Sequence, residues 1–258
     1  MLLCNDDGIR ADGILALYRA LAHRPGVEVV LAAPSRERSA MGHAITLGQP
    51  LFADLIQIPG CDAPCYSVSG TPADAAKLAI QALLPERPQV VISGVNYGAN
   101  LGTDVIYSGT VSAAVEAAIY GIPALAVSLC VRDFHDERPP DYTYAAEFAA
   151  GLALRLAGAE LPAGTILNVN VPELPAGEIK GVAVTKQGVR RYAREFVHRH
   201  DPRGRSYYWM AGTPHDGGNA PDTDVSAVQA GMVAVTPLHL DMTAHDQLTT
   251  LRDWALTP

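Results

Sequence analysis

A short apolar run, Leu2-Leu3-Cys4, stops at Asn5-Asp6-Asp7-Gly8, and a helical pattern takes over from about Gly13. Strand, polar turn and helix in that order describe the carboxyl end of a first strand opening into a βα loop, where ligands collect in α/β proteins. Two neighbouring aspartates repel each other there and are costly unless a cation sits between them. The competing reading is an acidic turn that caps the helix, because Asp-Gly is also common turn chemistry. The other loops of the chain decide between the two.

Alternation continues for about 170 residues. An amphipathic stretch with Ile14, Leu15, Leu17 and Leu21 runs to the Pro25-Gly26 stop, and Val27–Ala33 is apolar and β-branched, hence a second strand. After a polar loop from Pro34 to Gly42, residues Ile45 to Val68 read as an irregular hairpin. Thr71-Pro72-Ala73-Asp74 is a helix start, with Thr71 at the N-cap, Pro72 in the first turn and Asp74 at the positive helix end. That helix is expected to end at about Leu84, before Pro85. Val90–Ser93 is a short apolar strand leading into the glycine-rich Gly94–Asn100. Ser108-Gly109-Thr110 opens a helix through Tyr120. Strand Ala124–Leu129, helix Tyr142–Leu156 and strand Ile166–Val171 follow. The expected fold is α/β: a doubly wound, Rossmann-like, mainly parallel sheet with helices on both faces.

From about Lys180 the pattern changes. Val182–Val184, Arg190–Val197 and Ser206–Met210 read as strands without intervening helices, an antiparallel extension followed by a Gly/Pro/Asp-rich loop from Gly212 to Asp224. Asp224–Ala230 reads as a short helix, Met232–Val235 as a strand returning to the sheet, and His245–Ala255 as a terminal helix. Residues 1–179 are thus expected to form the catalytic core. Residues 180–258 form a β-hairpin extension with a returning strand and terminal helix, in the same globular unit.

Composition excludes several classes. A net charge of −8, without a dense Lys/Arg cluster, argues against duplex nucleic acid as a partner. None of the three lysines, Lys77, Lys180 and Lys186, follows a glycine-rich phosphate-loop pattern, so a Walker-type triphosphatase is out. No run of 18 apolar residues marks a membrane span. No basic segment followed by an apolar one opens the chain, so a cytoplasmic location is expected. Cys61 and Cys65 have neither a second pair nor a nearby histidine, which does not fit zinc; reduced thiols are expected for all four cysteines.

In a doubly wound sheet the strand ends converge on one side. They bring together Asp6 and Asp7, the Ser35–Ser39 loop, Ser93 to Asn100, and Ser108 to Thr110. Carboxylates, hydroxyls and amides without thiolate or imidazole suit magnesium, manganese or calcium. Glycines at 94, 98 and 102 let backbone N–H groups approach a ligand, and Ser108-Gly109-Thr110 at a helix N-terminus is a natural phosphate site, although for Ser108 alone plain N-capping is the simpler reading. A divalent-cation site beside an oxyanion cradle fits metal-assisted hydrolysis of a phosphate ester, with the metal polarising the phosphoryl group and activating water.

The chain resembles the SurE family, the stationary-phase survival proteins that act as 5′/3′-nucleotidases. The resemblance is carried by Asn5–Gly8, Arg38-Ser39-Ala40 with Ile45-Thr46-Leu47, Gly70–Asp74, Ser93–Gly102, Tyr107–Val111, Asn168–Pro172, Asp201–Gly204, Thr223-Asp224, Thr236-Pro237-Leu238 and Asp241–His245. These segments run in family order over nearly the whole chain. The first strand is short against the family pattern, which touches no expected ligand. The resemblance implies one divalent cation per subunit, Mg2+ or Mn2+ with Ca2+ able to occupy the site, held by Asp6, Asp7, Ser39 and Asn96. On chemistry alone either Asn96 or Asn100 could be the amide ligand; the motif position favours Asn96. Asp6, Asp7 and Asn96 would form the catalytic set. Ser108, Gly109 and Thr110, with Asn100, would bind substrate phosphate. The resemblance further implies a homo-oligomer, a dimer or tetramer, with the C-terminal extension exchanged between subunits.

Three further residues are candidates for support around that site. His43 is close to Ser39 in sequence, Glu116 lies on the helix after Thr110, and His245 follows Asp241 at a one-turn spacing. His245 reads either as a hydrogen-bond donor or general acid, reaching the site from a neighbouring subunit, or as a helix-start histidine at the oligomer interface. Arg190, Arg191 and Tyr192 read as a solvated strand face rather than a nucleotide contact. The expected reaction is in-line attack of an activated water on a phosphomonoester, the substrate being a nucleoside 5′- or 3′-monophosphate, with short polyphosphate a further candidate. Asp7 would serve as general base or simply as a ligand. Attack by an aspartate itself is the alternative, but the Asp-x-Asp spacing of such phosphatases is absent, which favours water. A receiver-type signalling module also places an acidic pair after its first strand. It needs a third aspartate and a later lysine, and this chain has no lysine between Lys77 and Lys180.

Overall fold

A computed structural model of the chain describes residues 1–132, 138–159, 161–193 and 196–254. Its frame is a mixed sheet built from β1 (Leu2–Cys4), β2 (Val30–Pro34), β3 (Ala53–Ile58), β4 (Cys61–Val68), β5 (Val91–Tyr97), β6 (Ala124–Cys130), β7 (Thr165–Pro172), β8 (Val182–Val184) and a last strand, Val233–His239. Across the sheet the order is β3-β4-β2-β1-β5-β6-β7, then Val233–His239, then β8. Strands β4, β2, β1, β5, β6 and β7 run parallel; β3 pairs antiparallel with β4, and Val233–His239 antiparallel with β7. The mainly parallel α/β sheet expected from the alternation is therefore present, with antiparallel strands towards the C-terminus.

Side-chain alternation sorts the core onto two faces. Leu3, Leu31, Ile92 and Leu125 face helices α1 (Asp12–Ala22) and, in the numbering used here, α4 (Thr143–Leu156). Leu2, Cys4, Val91 and Ala126 face the opposite layer, α2 (Pro72–Leu78) and α3 (Gly109–Ile119). Alanines at 113, 114, 117 and 118 let α3 lie close to the strands. β1 sits at the point where the strand order reverses, so the crevice between β1 and β5 opens at its carboxyl end, the expected place for a ligand.

Several boundaries differ from the sequence reading. β2 begins at Val30 rather than Val27, because its ladder with β1 starts at Leu2 opposite Val30. β5 extends to Tyr97, through residues expected to be loop, and its pairing with β6 shifts register between Ser93 and Asn96. Gly94 makes this possible: with φ at +137°, a side chain there would sit 2.2 Å from the Val127 carbonyl oxygen. α2 ends at Leu78 and continues as a wider π-type turn over Ala79–Leu83. Pro85 explains why the helix stops there, since it forces Leu84 to be extended.

The C-terminal part departs most. Val182–Val184 does not belong to an antiparallel extension; it closes the main sheet as β8, parallel to Val233–His239. The segment read as Arg190–Val197 contains β9 (Arg191–Ala193) and β10 (Phe196–His200), with residues 194–195 outside the described residues. β10 pairs antiparallel with β11 (Ser206–Met210), and β9 with β12 (Thr213–His215), which lies inside the stretch read as loop. Helix α5 (Asp224–Gln229) and strand β13 (Val233–His239) occupy their expected places. His245–Gln247 is a 3-10 turn leading into α6 (Leu248–Asp253), and Ala255, read as the helix end, lies outside the described residues. Every residue of β10 and β11 is exposed, aromatic Phe196, Tyr208 and Trp209 among them.

Candidate active site

Asp6 and Asp7 lie just beyond β1, at the reversal of strand order. Asp6 is buried and turns towards α3, where its Oδ1 accepts the Thr110 hydroxyl at 2.5 Å. Asp7 is half-buried, and its Oδ2 accepts the Tyr97 backbone N–H at 3.2 Å. Asn5 braces the turn by exchanging hydrogen bonds with Gly8. Glycine at 109 is required by this closeness: a Cβ there would lie 2.8 Å from the Cβ of Asp6.

The electrostatics follow from burial and proximity. Burial pushes the Asp6 carboxyl up, against the pull of the Thr110 hydrogen bond. Burial, then the charge of Asp6, raises Asp7 to about 7, with the Tyr97 N–H acting in the opposite sense. Glu37 adds a third negative charge that raises both. Among the described residues no Lys, Arg or His pairs with Asp6 or Asp7. A buried and a half-buried carboxylate, unpaired with a cationic side chain among the described residues and with hydroxyl and amide oxygens in the adjoining loops, fit a hard divalent cation.

The loop after β2 supplies those neighbours. The Arg38 N–H donates to the Asp6 carbonyl at 2.7 Å, and Ile9 N–H to the Pro34 carbonyl at 2.8 Å, so the two loops lie together. Ser39 is exposed at this turn, and its hydroxyl donates to Glu37 at 2.6 Å. Asn96, at the end of β5, donates its amide to the Gly98 carbonyl at 2.7 Å, which directs its amide oxygen away from that bond. Ser108 caps α3 by accepting the Val111 N–H at 3.0 Å. Gly109 and Thr110 are the first residues of that helix, whose N–H groups have no intrahelical acceptor.

The other candidates divide. His43 and Glu116 do meet: Nε2 of His43 lies 2.8 Å from Oε1 of Glu116, and Lys77 Nζ 3.4 Å from its Oε2. Burial raises the Glu116 carboxyl, but the His43 bond and the Lys77 charge outweigh it and the net shift is downward. Thr46 donates to both oxygens of Asp74, which also forms a reciprocal capping box with Thr71. These pairs pin the 43–46 segment onto α2 and α3. Asn100 is placed in a buried amide cluster. Its amide donates to Ser128, its N–H to Asn170, and its carbonyl accepts from Asn168 and Asn170. Asn100 thus shapes the loop from within. His245 contacts Asp241 at 2.6 Å beyond β13, and β13 leaves the sheet at the edge opposite Asp6. Within one chain it does not reach the acidic pair.

The sequence reading passes over Glu37 and gives Asp224 and Arg190 no part in shaping the site. Glu37 sits in the loop whose serine was singled out, and a third carboxylate there was the available signal. Asp224 is fully buried and accepts N–H groups from Gly102, Gly188 and Val225, each at 2.8 Å, tying the C-terminal segment to the loop after β5. Arg190 is not on a solvated strand face: it bridges Asp104 and Asp216 and is largely buried. Tyr192, whose hydroxyl donates to Asp104, joins the same cluster. Only a partner map could have revealed these, since the charges come from segments about 30 to 90 residues apart.

Fold and site together define an α/β protein with an acidic, oxygen-donor site at a topological switch point, beside an open helix N-terminus. Comparison with known proteins narrows this. The family described as Survival protein SurE matches residues 1–194, and the chain belongs to that family. It is 58% identical over 257 residues to the 5′-nucleotidase SurE of Symbiobacterium thermophilum, covering all of this chain and 98% of that protein. It is 50% identical over 254 residues to the 5′-nucleotidase SurE of Heliobacterium modesticaldum, covering 98% and 91%. The crystal structure of the SurE protein from Aquifex aeolicus is similar with a TM-score of 0.83 at 38% identity, covering 99% of each chain.

The like-charge pair carries a testable stability effect. Asp7→Asn should stabilise the cation-free protein at pH 8 by roughly 1–3 kcal/mol, a few degrees in Tm. The sign follows from linkage: the fold disfavours charged Asp7, so the penalty is absent below the ordinary value of 3.8 and grows as pH rises towards 7. Scanning calorimetry should find the gain at pH 8 and none near pH 4. A variant less stable than wild type at pH 8 would contradict the electrostatic reading.

Proposed function

We infer that this chain is a phosphomonoesterase that hydrolyses nucleoside monophosphates to nucleoside and phosphate. The observation that carries the reading is the direct contact between the acidic pair and a phosphate-type helix end, Thr110 to Asp6. The names of the relatives, 5′-nucleotidase, support the substrate class. Action on 3′-monophosphates and short polyphosphate rests on the family resemblance alone.

In this reading Asp6, Asp7, Ser39 and Asn96 hold one divalent cation, Mg2+ or Mn2+, with Ca2+ also compatible with the oxygen donors. Such a cation supplies charge that polarises a phosphoryl oxygen and lowers the pKa of water. The chain's own residues do the rest. The Gly109 and Thr110 N–H groups receive phosphate oxygens, and the Ser108 hydroxyl, which caps with its oxygen, keeps its proton to donate. The Thr110 hydroxyl orients Asp6 instead of touching phosphate. Asp7 acts as a ligand or accepts a proton from the attacking water, held in place by the Tyr97 N–H. Glu116 and His43 touch neither substrate nor cation; they hold the loop that carries Ser39.

The test is phosphate release from 5′- and 3′-nucleoside monophosphates after chelation, then with Mg2+ or Mn2+ restored. Activity should return with metal, and Asp7→Asn should lower kcat by about 10²-fold or more. Absence of release with any metal, in folded wild-type protein, would overturn the reading.

A homo-oligomer is part of the same reading. Both faces of the β10–β11 hairpin are exposed and aromatic, which fits a second copy of the chain better than water. The expectation is a hairpin exchanged between subunits of a dimer or tetramer. Light scattering should give at least twice the 27.3 kDa chain mass, and Phe196→Ser with Trp209→Ser should shift it towards one chain. A wild-type monomer would contradict it.

A further inference from the structure

At the same end of the sheet as the acidic pair, one strand beyond β5, lies a groove of about 670 Å³ that the reaction as described does not use. It opens at the carboxyl ends of β6 and β7, under the start of α4. Leu129, Tyr144, Glu173, Pro139, Pro140 and Pro172 form much of its lining. Two connections join it to Asp7. The Leu129 carbonyl accepts the Gly98 N–H at 3.0 Å, one residue after the Tyr97 N–H that binds Asp7. Tyr142, between the groove residues Asp141 and Thr143 in sequence, sets its ring near Gly13 of α1; burial first, then the charge of Asp7 and, further down, that of Glu173, disfavour its phenolate.

The groove has a definite chemistry. Its prolines are rigid and Tyr144 adds an aromatic wall, so the lining suits a flat ring. Its charged members are Asp141, Glu147 and Glu173 against Arg138; Glu147 is paired with Arg24 at 2.6 Å, and the carboxylates still outnumber the cations. Glu173 already acts as an acceptor, taking the Arg132 N–H at 2.9 Å. Carboxylates repel a phosphate but accept N–H and O–H groups. A volume of this size falls within the range of small-molecule sites.

We propose that this groove receives the nucleoside half of the substrate, while its phosphate sits at the acidic pair and the N-terminus of α3. The proposal rests on the nucleotidase reading above. Planar base against proline and tyrosine, with base N–H and ribose O–H groups on the carboxylate rim, would separate the neutral part of the substrate from its charged part. Tyr144 and Glu173 become specificity residues, and Leu129 and Tyr142 the floor between the two halves.

The experiment compares kcat/KM for adenosine 5′-monophosphate and for glycerol 2-phosphate, which has no base, in wild type, Tyr144→Ala and Ala176→Trp. Ala176 is an exposed residue on the groove's edge, so the tryptophan fills the groove without disturbing the core. Wild type should prefer the nucleotide, and each variant should lower the ratio of the two kcat/KM values by about tenfold, through KM. A ratio unchanged in both variants overturns the proposal, and so does an equal loss on both substrates. Calorimetry of adenosine binding to the cation-free protein separates the two readings. If wild type cleaves neither ester, the nucleotidase reading fails. Adenosine binding that Ala176→Trp abolishes would then still uphold the groove, and no adenosine binding would overturn it.

Discussion

Two carboxylates on consecutive residues, buried in a turn, repel each other by an amount the fold has to hold in check. Around Asp6 and Asp7 the restraint is geometric. Each carboxylate has its own partner, Asp6 the Thr110 hydroxyl on α3 and Asp7 the Tyr97 N–H at the end of β5. Those two contacts come from segments about 90 and 104 residues away, so the pair assembles only when β1 is inserted between β2 and β5. Local chemistry supplies the turn; the parallel sheet supplies the partners.

The loops that complete the site are clamped from both flanks. On one flank, His43 on Glu116 and Thr46 on Asp74 pin the segment following Ser39 to the helices of the α2/α3 layer. On the other, Asp224 gathers N–H groups from Gly102, Gly188 and Val225, and Arg190 bridges Asp104 and Asp216. Buried carboxylates with several donors apiece are stiff fixtures, because removing any partner leaves a charge unsatisfied. Rigidity of the frame holds in place an acidic pair that, among the described residues, has no cationic side chain as partner. The C-terminal segment therefore helps build the site's flank as well as offering its own exposed hairpin.

Periodicity and turn chemistry made the core legible from sequence. The Thr71–Asp74 capping box, the helix opening at Ser108 and the apolar strands from β1 to β7 depend on neighbours within a few residues, and such signals survive in one dimension. Convergence of Asp6, the loop after β2 and Thr110 was legible too, since strand ends in a doubly wound sheet point one way. Long-range pairing was not. Nothing in Val182–Val184 distinguishes a sheet edge from a hairpin arm, and nothing near Arg190 announces that Asp104 and Asp216 will neutralise it. The partners of Asn100 were hidden for the same reason: an amide in a glycine-rich loop gives no sign of the Ser128, Asn168 and Asn170 that surround it.

If the acidic pair holds a divalent cation, crystals grown with Mn2+ should give one anomalous peak per chain, contacting carboxylate oxygens of both Asp6 and Asp7, with Asn96 and Ser39 turned towards it. A fully ordered site with no anomalous peak at the pair, or a single peak elsewhere in the chain, would contradict it.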